Sequence, residues 1–330
     1  QLSDVDLADH NSFSSIKSTD VSIVNYGLEW TIGVRPLPAK SPWDLNCMFS
    51  FAWNKDVIAK LPNEARQIIN SKAMSVNRLG ANALGMYLYV NKGVYATDAD
   101  VPVDPATGKR LRVGGTETEQ SYFKAGDPIW VDVNGDYVID EKDKVIVGNS
   151  QPRMTGGVSI NLRYKNFAIQ TNASFVLRRD IINKALADRF VAYTDPLGAA
   201  KIDVLKKSAA LTPIASYDFW TPEHVKATYP NPYDYIHAQT IKPFRLDQTL
   251  FMEDGSYFKL NTISVSYTFG AKMLNLLRVN SLVLRASMNN IFTFSGYSGI
   301  NPESVNGLGY DTSGGYPNAR SYTVGITLGL

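Results

Sequence analysis

The chain has 330 residues, 44% of them hydrophobic and 19% charged, enough to bury a large core or to coat a large membrane surface. Lys plus Arg (33) nearly balances Asp plus Glu (31), and a formal charge of +2 removes the electrostatic case for nucleic acid as a partner. Cys47 is the only cysteine, which excludes an intrachain disulfide, a thiolate zinc site and an iron–sulfur cluster; His10, His224 and His237 stand apart without the spacing of a metal motif.

The chain opens at Gln1 without a basic and then apolar leader, so a secretion signal is expected to have been removed or to lie outside the sequence. No uninterrupted apolar run is long enough for a transmembrane helix. If a membrane is crossed, strands must cross it.

Strands are what the period-two pattern predicts. Leu28, Trp30, Ile32 and Val34 alternate with Glu29, Thr31, Gly33 and Arg35, and after a short turn Leu45, Cys47, Phe49, Phe51 and Trp53 alternate with Asn46, Ser50 and Asn54. Residues 55 to 155 then read as a very long connection. Inside it, 132 to 143 place oxygen-bearing side chains Asp132, Asn134, Asp136, Asp140 and Asp143 at the first, third, fifth, ninth and twelfth positions of a calcium loop, with the carbonyl of Val138 at the seventh. Tyr137 stands where such loops carry glycine, and Asp143 where they carry a longer glutamate; the alternative is a polar turn closed by Asx capping without metal.

Val158, Ile160, Leu162 and Tyr164 next oppose Ser159, Asn161, Arg163 and Lys165, and after a turn at Asn166 the chain returns with Phe167, Ile169, Ala173 and Phe175 on one face. Residues 178 to 255 form a second long connection. Its aromatics include Tyr193, Tyr217, Phe219, Trp220, Tyr229, Tyr233 and Tyr235, which could stack on a ligand, meet a partner, or pack the loop against itself. Ile263, Val265, Tyr267 and Phe269 form a further strand, then Leu282, Leu284, Ala286 and Met288, then a third long connection over 291 to 319, and finally Tyr322, Val324, Ile326, Leu328 and Leu330.

A soluble sandwich also alternates, but several of these strands run to about ten residues, the length a tilted strand needs to cross a bilayer. Connections alternate short and long, as in outer-membrane barrels, where the short turns are periplasmic and the long loops extracellular. The fold expected is all-β: a transmembrane antiparallel β-barrel with long extracellular loops, to which this chain contributes about seven or eight strands. Too few to close by themselves, they leave two edges for the remainder of the barrel to pair. Trp30, Trp43, Trp53, Tyr164, Phe167, Tyr267 and Phe269 suit interfacial girdles, or express plain β-propensity.

Taken in order, Asn25-Tyr26-Gly27-Leu28-Glu29, Asn54-Lys55-Asp56-Val57-Ile58, Gly85-Met86-Tyr87, Gly93-Val94-Tyr95, the 132 to 143 loop, Gly148 with Pro152, Gly156-Gly157, Ser256-Tyr257-Phe258-Lys259-Leu260, Asn289-Asn290-Ile291-Phe292, Tyr297 to Glu303 and Tyr316-Pro317 resemble the SusC-like TonB-dependent transporters of the Bacteroidota. Thr323, Gly325, Leu328 and Leu330 resemble the signal read by the barrel-assembly machinery. The resemblance implies that residues 1 to 330 are the C-terminal portion of a 22-stranded barrel in the bacterial outer membrane. A plug domain and a TonB-contacting segment would lie elsewhere, and a SusD-like lipoprotein would serve as lid.

The implied function is TonB-dependent import of glycan or peptide nutrients; the alternative is a non-transporting SusC-like barrel serving as a structural subunit of a larger assembly. No converging carboxylate pair is identifiable, and no enzyme activity is expected. Tyr217, Trp220, Tyr229, Tyr233 and Tyr297 are candidates for ligand or lid contact, and calcium is the one cofactor expected.

Overall fold

The computed structural model describes residues 3–6, 15–18, 21–70, 74–83, 85–194, 216–311 and 318–329. Tyr316, Pro317, the terminal Leu330 and the side chain of Tyr193, all named above, lie outside that description. A two-stranded antiparallel hairpin, Ser3–Asp6 with Ser15–Ser18, precedes the main body.

That body is built on a seven-stranded antiparallel sheet. Its strands are β1 (Ser22–Val34), β2 (Trp43–Lys60), β3 (Met154–Tyr164), β4 (Phe167–Leu177), β5 (Tyr257–Thr268), β6 (Ser281–Ser295) and β7 (Ser321–Gly329), each bonded to its neighbour in sequence. Up-and-down order follows from the connections, since a turn as short as Lys165–Asn166 can only return the chain beside itself.

Register aligns the apolar residues into one face across every strand. Trp30 pairs with Phe51, Phe51 with Gly156, and Gly156 with Phe175; further along the same rows, Ile32, Phe49, Val158 and Ala173 adjoin. Leu284 joins Tyr267 to Ile326, and Ala286 joins Val265 to Val324. Side chains of this face are half-buried in mid-sheet and open toward the C-terminal edge: Tyr322 is 71% exposed, Val324 74% and Phe294 77%. A face this apolar and this open is suited to hydrocarbon, where burial in protein brings no gain. Aromatics border it at the short-turn end, with Trp43 stacked on Tyr164 at 4.2 Å, Phe167 against Tyr267 at 4.6 Å and Tyr267 against Phe269 at 4.9 Å.

Two boundaries differ from the sequence reading. β2 continues through Asn54 to Lys60, paired with β1 as far as Ser22, so the first long connection begins after 60 and not at 55. Alternation stops near Asn54 because each face there carries one charged and one apolar residue, Lys55 with Val57 and Asp56 with Ile58, while hydrogen bonding continues. β6 runs on to Ser295, so the third connection begins after 295 and not at 291. Asn290 looked like a stop but is a bulge, held at φ 54°, where register jumps from Thr262–Asn289 to Leu260–Phe292. Across the bulge β5 changes phase, from Ile263 to Leu260, while Phe292 and Phe294 keep on β6 the phase of Ala286 and Met288.

The long connections gather at the opposite end into one body. Residues 61–153 contribute the sheet Lys144–Val147, Met86–Tyr89, Ser75–Arg78, Gln67–Asn70. Residues 178–256 contribute helices α1 (Lys184–Thr194) and α2 (Tyr235–Ile241). One core joins Met86 and Leu88 to Ile182, Leu186, Phe190, Phe219, Phe244 and Phe251; a second joins Tyr89, Tyr95, Leu111, Phe123, Trp130 and Ile139 to Ile241. The third connection is tied in by Ile182 donating to Gly309 and Asp311 donating to Ile182 through their backbones. At the other end the turn between β5 and β6 holds helix α3 (Ala271–Leu277).

Candidate functional site

The face opposite the apolar one is polar. Asn46, Asn161, Gln170, Ser264, Ser287 and Thr323 form one row across six strands, and Asp44, Arg163, Ala168, Ser266 and Arg285 the next. Arg35, Asn46, Asn161, Gln170 and Ser264 line, with the second row, a cavity of about 310 Å³. Small Ala168 and Ser266 leave room between two guanidinium groups three strands apart, so this wall can offer N–H donors, amides and hydroxyls to a solute. The alternating pattern announced a polar face; the placement of Arg163 and Arg285 in one row required the register.

At the loop body, charge is held tightly. Lys144, its side chain 2% exposed, lies 2.7 Å from both Asp247 and Glu141, and Arg245 grips Asp247 through two hydrogen bonds of 2.5 and 2.8 Å. Both cations also face the Tyr89 ring, at 5.1 and 4.5 Å. Burial pushes the Asp247 carboxyl up, but Arg245 and Lys144 outweigh it and hold the group below the usual carboxylate range. Buried Gln248 accepts from Trp130 Nε1 at 2.8 Å and donates to the carbonyls of Pro243 and Arg245. A second buried pair, His237 Nε2 to Asp127 at 2.7 Å, joins α2 to the first connection, and burial raises the Asp127 pKa against the pull of His237.

The acidic loop is closed by hydrogen bonds from its own backbone to its side chains. Asp132 accepts from the backbone of Gly135 and Tyr137, Asp136 from Val138, Asp140 from Lys142, and Asp143 from Val133 and Asp140. Tyr137, in the usual glycine position, adopts φ 60°, and Gly135 φ 73°, the left-handed turns that wrap such a loop. Asn134 Nδ2 donates to Asp136 at 2.9 Å, and the carboxylates satisfy backbone donors before any ion. Among the described residues no group of three or more acidic, His or Cys side chains stands gathered around one point.

Of the aromatics singled out, four are placed inside the body. Trp220 is buried, donating Nε1 to the Ala96 carbonyl; Tyr217 and Tyr229 pack edge-on against Phe190, each at 4.9 Å; Tyr297 is buried and hydrogen-bonded to Asp311 at 2.5 Å. Their rings are already occupied by the protein. Tyr233 alone of the five is open, 54% exposed, and beside it in sequence Tyr235 and Ile236 are open too. Ile236 gave no signal in the sequence beyond standing in a polar stretch.

Comparison with known proteins places this architecture. No protein-family model matches the chain. Over 98% of its length it is 24% identical to TonB-dependent receptor P3 of Formosa agariphila, of which it spans 30%. It is 24% identical, over 93% of its length, to TonB-dependent receptor SusC of Bacteroides thetaiotaomicron, of which it spans 26%. Among solved structures, the RagAB peptide transporter matches with a TM-score of 0.69 over 99% of this chain and 31% of that one, at 17% identity. The chain thus spans less than a third of the length of these relatives.

Proposed function

We propose, on the premise that this chain is the C-terminal part of the outer-membrane barrel of a SusC-like TonB-dependent receptor, that the complete protein imports nutrient molecules through its lumen. The observation that carries this reading is the register of the sheet, which sorts an apolar face from a face of amides, hydroxyls and arginines from strand to strand. In this reading the apolar face meets lipid, the polar face borders the import path, the short turns are periplasmic and the loop body is extracellular. A plug supplied by further chain would close the lumen and respond to TonB.

Asn161, Gln170 and Arg163 can hydrogen-bond sugar hydroxyls and peptide groups equally well, so the cargo is a glycan or a peptide. The exposed cluster Tyr233, Tyr235 and Ile236 is the part of the loop body offered to a SusD-like lipoprotein lid. Uptake of fluorescent oligosaccharides and of fluorescent peptides, compared in cells with and without the gene and after TonB depletion, tests the reading. Loss of uptake of one cargo class in both deficient strains is expected; unchanged uptake of both classes would mark a structural subunit instead.

We also propose that Asp132, Asn134, Asp136, Asp140, Asp143 and the Val138 carbonyl hold calcium. The left-handed turns at Gly135 and Tyr137 support it; the ion would stiffen the connection and take no part in transport chemistry. Metal analysis of the purified protein against Asp132→Ala and Asp136→Ala decides, and equal calcium in all three would end the proposal.

A further inference from the structure

The short turns 35–42, 165–166 and 269–280 contain Arg35, Lys40, Lys165, Lys272 and Arg278 and not a single Asp or Glu. Arg35 belongs to the polar-face cavity. Lys165 does not: its ammonium lies 5.3 Å from the centre of the Tyr164 ring, and Tyr164 is part of the aromatic border of the apolar face. That cation is therefore held on the outer rim, just past the band suited to hydrocarbon.

Helix α3 stands on the same rim. Its N-cap Gly270 directly follows Phe269, whose ring meets Tyr267 at the end of β5. Helical spacing sets Met273, Leu276 and Leu277 on one side and Lys272 and Asn275 on the other, while Arg278 closes the helix at φ 54°. Met273 is 41% exposed, Leu276 76% and Leu277 49%. A turn bathed only in water gains nothing by presenting these three side chains. The patch continues the apolar face beyond its aromatic border, and the cations flank it.

We propose that α3 and the adjoining turn cations form a phospholipid-binding rim. The helix lies at the boundary between headgroups and acyl chains in the leaflet at the short-turn end, with Met273, Leu276 and Leu277 in the acyl layer. Lys165, Lys272 and Arg278 receive the phosphates of anionic phospholipids. Continuity with the lipid-facing sheet favours lipid over a second protein as the covering surface, and the absence of carboxylates favours anionic headgroups over neutral ones. The inference rests on the reading that the sheet spans the bilayer.

The test uses the complete polypeptide in vesicles, in a Cys47→Ser background, with a fluorescent label at Leu276→Cys and a reference label at Val158→Cys. Phosphatidylcholine or phosphatidylglycerol brominated near the headgroup is the quencher. The Leu276 label is expected to be quenched, more strongly by phosphatidylglycerol, with that preference falling up to about fivefold for each charge removed in Lys272→Gln and Arg278→Gln. Quenching at Val158 without quenching at Leu276 would overturn the rim while leaving the sheet in the membrane. Equal quenching by the two lipids would overturn the anionic recognition, and no quenching at either site would overturn the membrane reading on which both depend.

Discussion

The sheet and the loop body use the same apolar side chains to opposite ends. Phe294 of the sheet is 77% exposed and Phe190 of the loop body 0%; Leu328 is 50% exposed and Leu88 0%. The loop body obeys the rule for water, with apolar side chains inward and buried Lys144 matched to Asp247. The sheet's apolar face, which among the described strands bears charge only at its loop-body end, where Lys55 stands, turns outward. What decides the placement is the solvent each region meets, and hydrophobicity alone says nothing about direction until that solvent is known.

The comparison can be broken most forcefully at its two centres. Phe190→Ala, which empties the middle of the first core, is expected to destabilise the loop body by about 3–5 kcal/mol, seen as faster proteolysis of the long connections while the sheet stays protected. Ile160→Arg, on the apolar face, is expected to cost about 2–4 kcal/mol in denaturant titrations of the complete protein in vesicles. Asn161→Arg, one residue along and on the polar face, should cost far less. Equal costs for the two would mean that the faces do not meet different solvents.

Acid sharpens the contrast further. Asp247 is held below the usual carboxylate range in the folded body, so its contribution is fully present above the ordinary pKa of about 4. It is lost as pH falls through the depressed folded value. Proteolysis of the loop body is expected to accelerate below about pH 4, with Asp247→Asn less stable at neutral pH and flatter in its response. The smallest effect is expected at the acidic loop: chelation should raise proteolysis near 132–143 in the parent protein and leave Asp132→Ala unmoved.

The sheet was legible because lipid and water on its two faces impose a period of two on the sequence. Val158 to Lys165 displayed it without interruption, and the structure pairs Val158 to Tyr164 as the pattern requires, with Lys165 in the turn. Past Asn54 each face mixes a charged residue with an apolar one, Lys55 with Val57 and buried Asp56 with buried Ile58, so the extension of β2 left no trace. At Asn290 an asparagine pair reads equally as turn or bulge, and only the partner strand separates them. The loop body was opaque for another reason. Tyr217, Tyr229 and Tyr297 are amphipathic side chains that serve a core or a surface equally well, and their burial depends on Phe190 and Asp311, contacts distant or unmarked in sequence.

Ile182 receives from and donates to the third connection while its side chain sits in the core shared by the first two. Those three segments therefore cannot drift independently over evolutionary time. A lengthening or substitution in one demands a compensating change in another, so variation at this mouth should arrive as coordinated exchanges of the whole trio, not as piecemeal alteration of single loops.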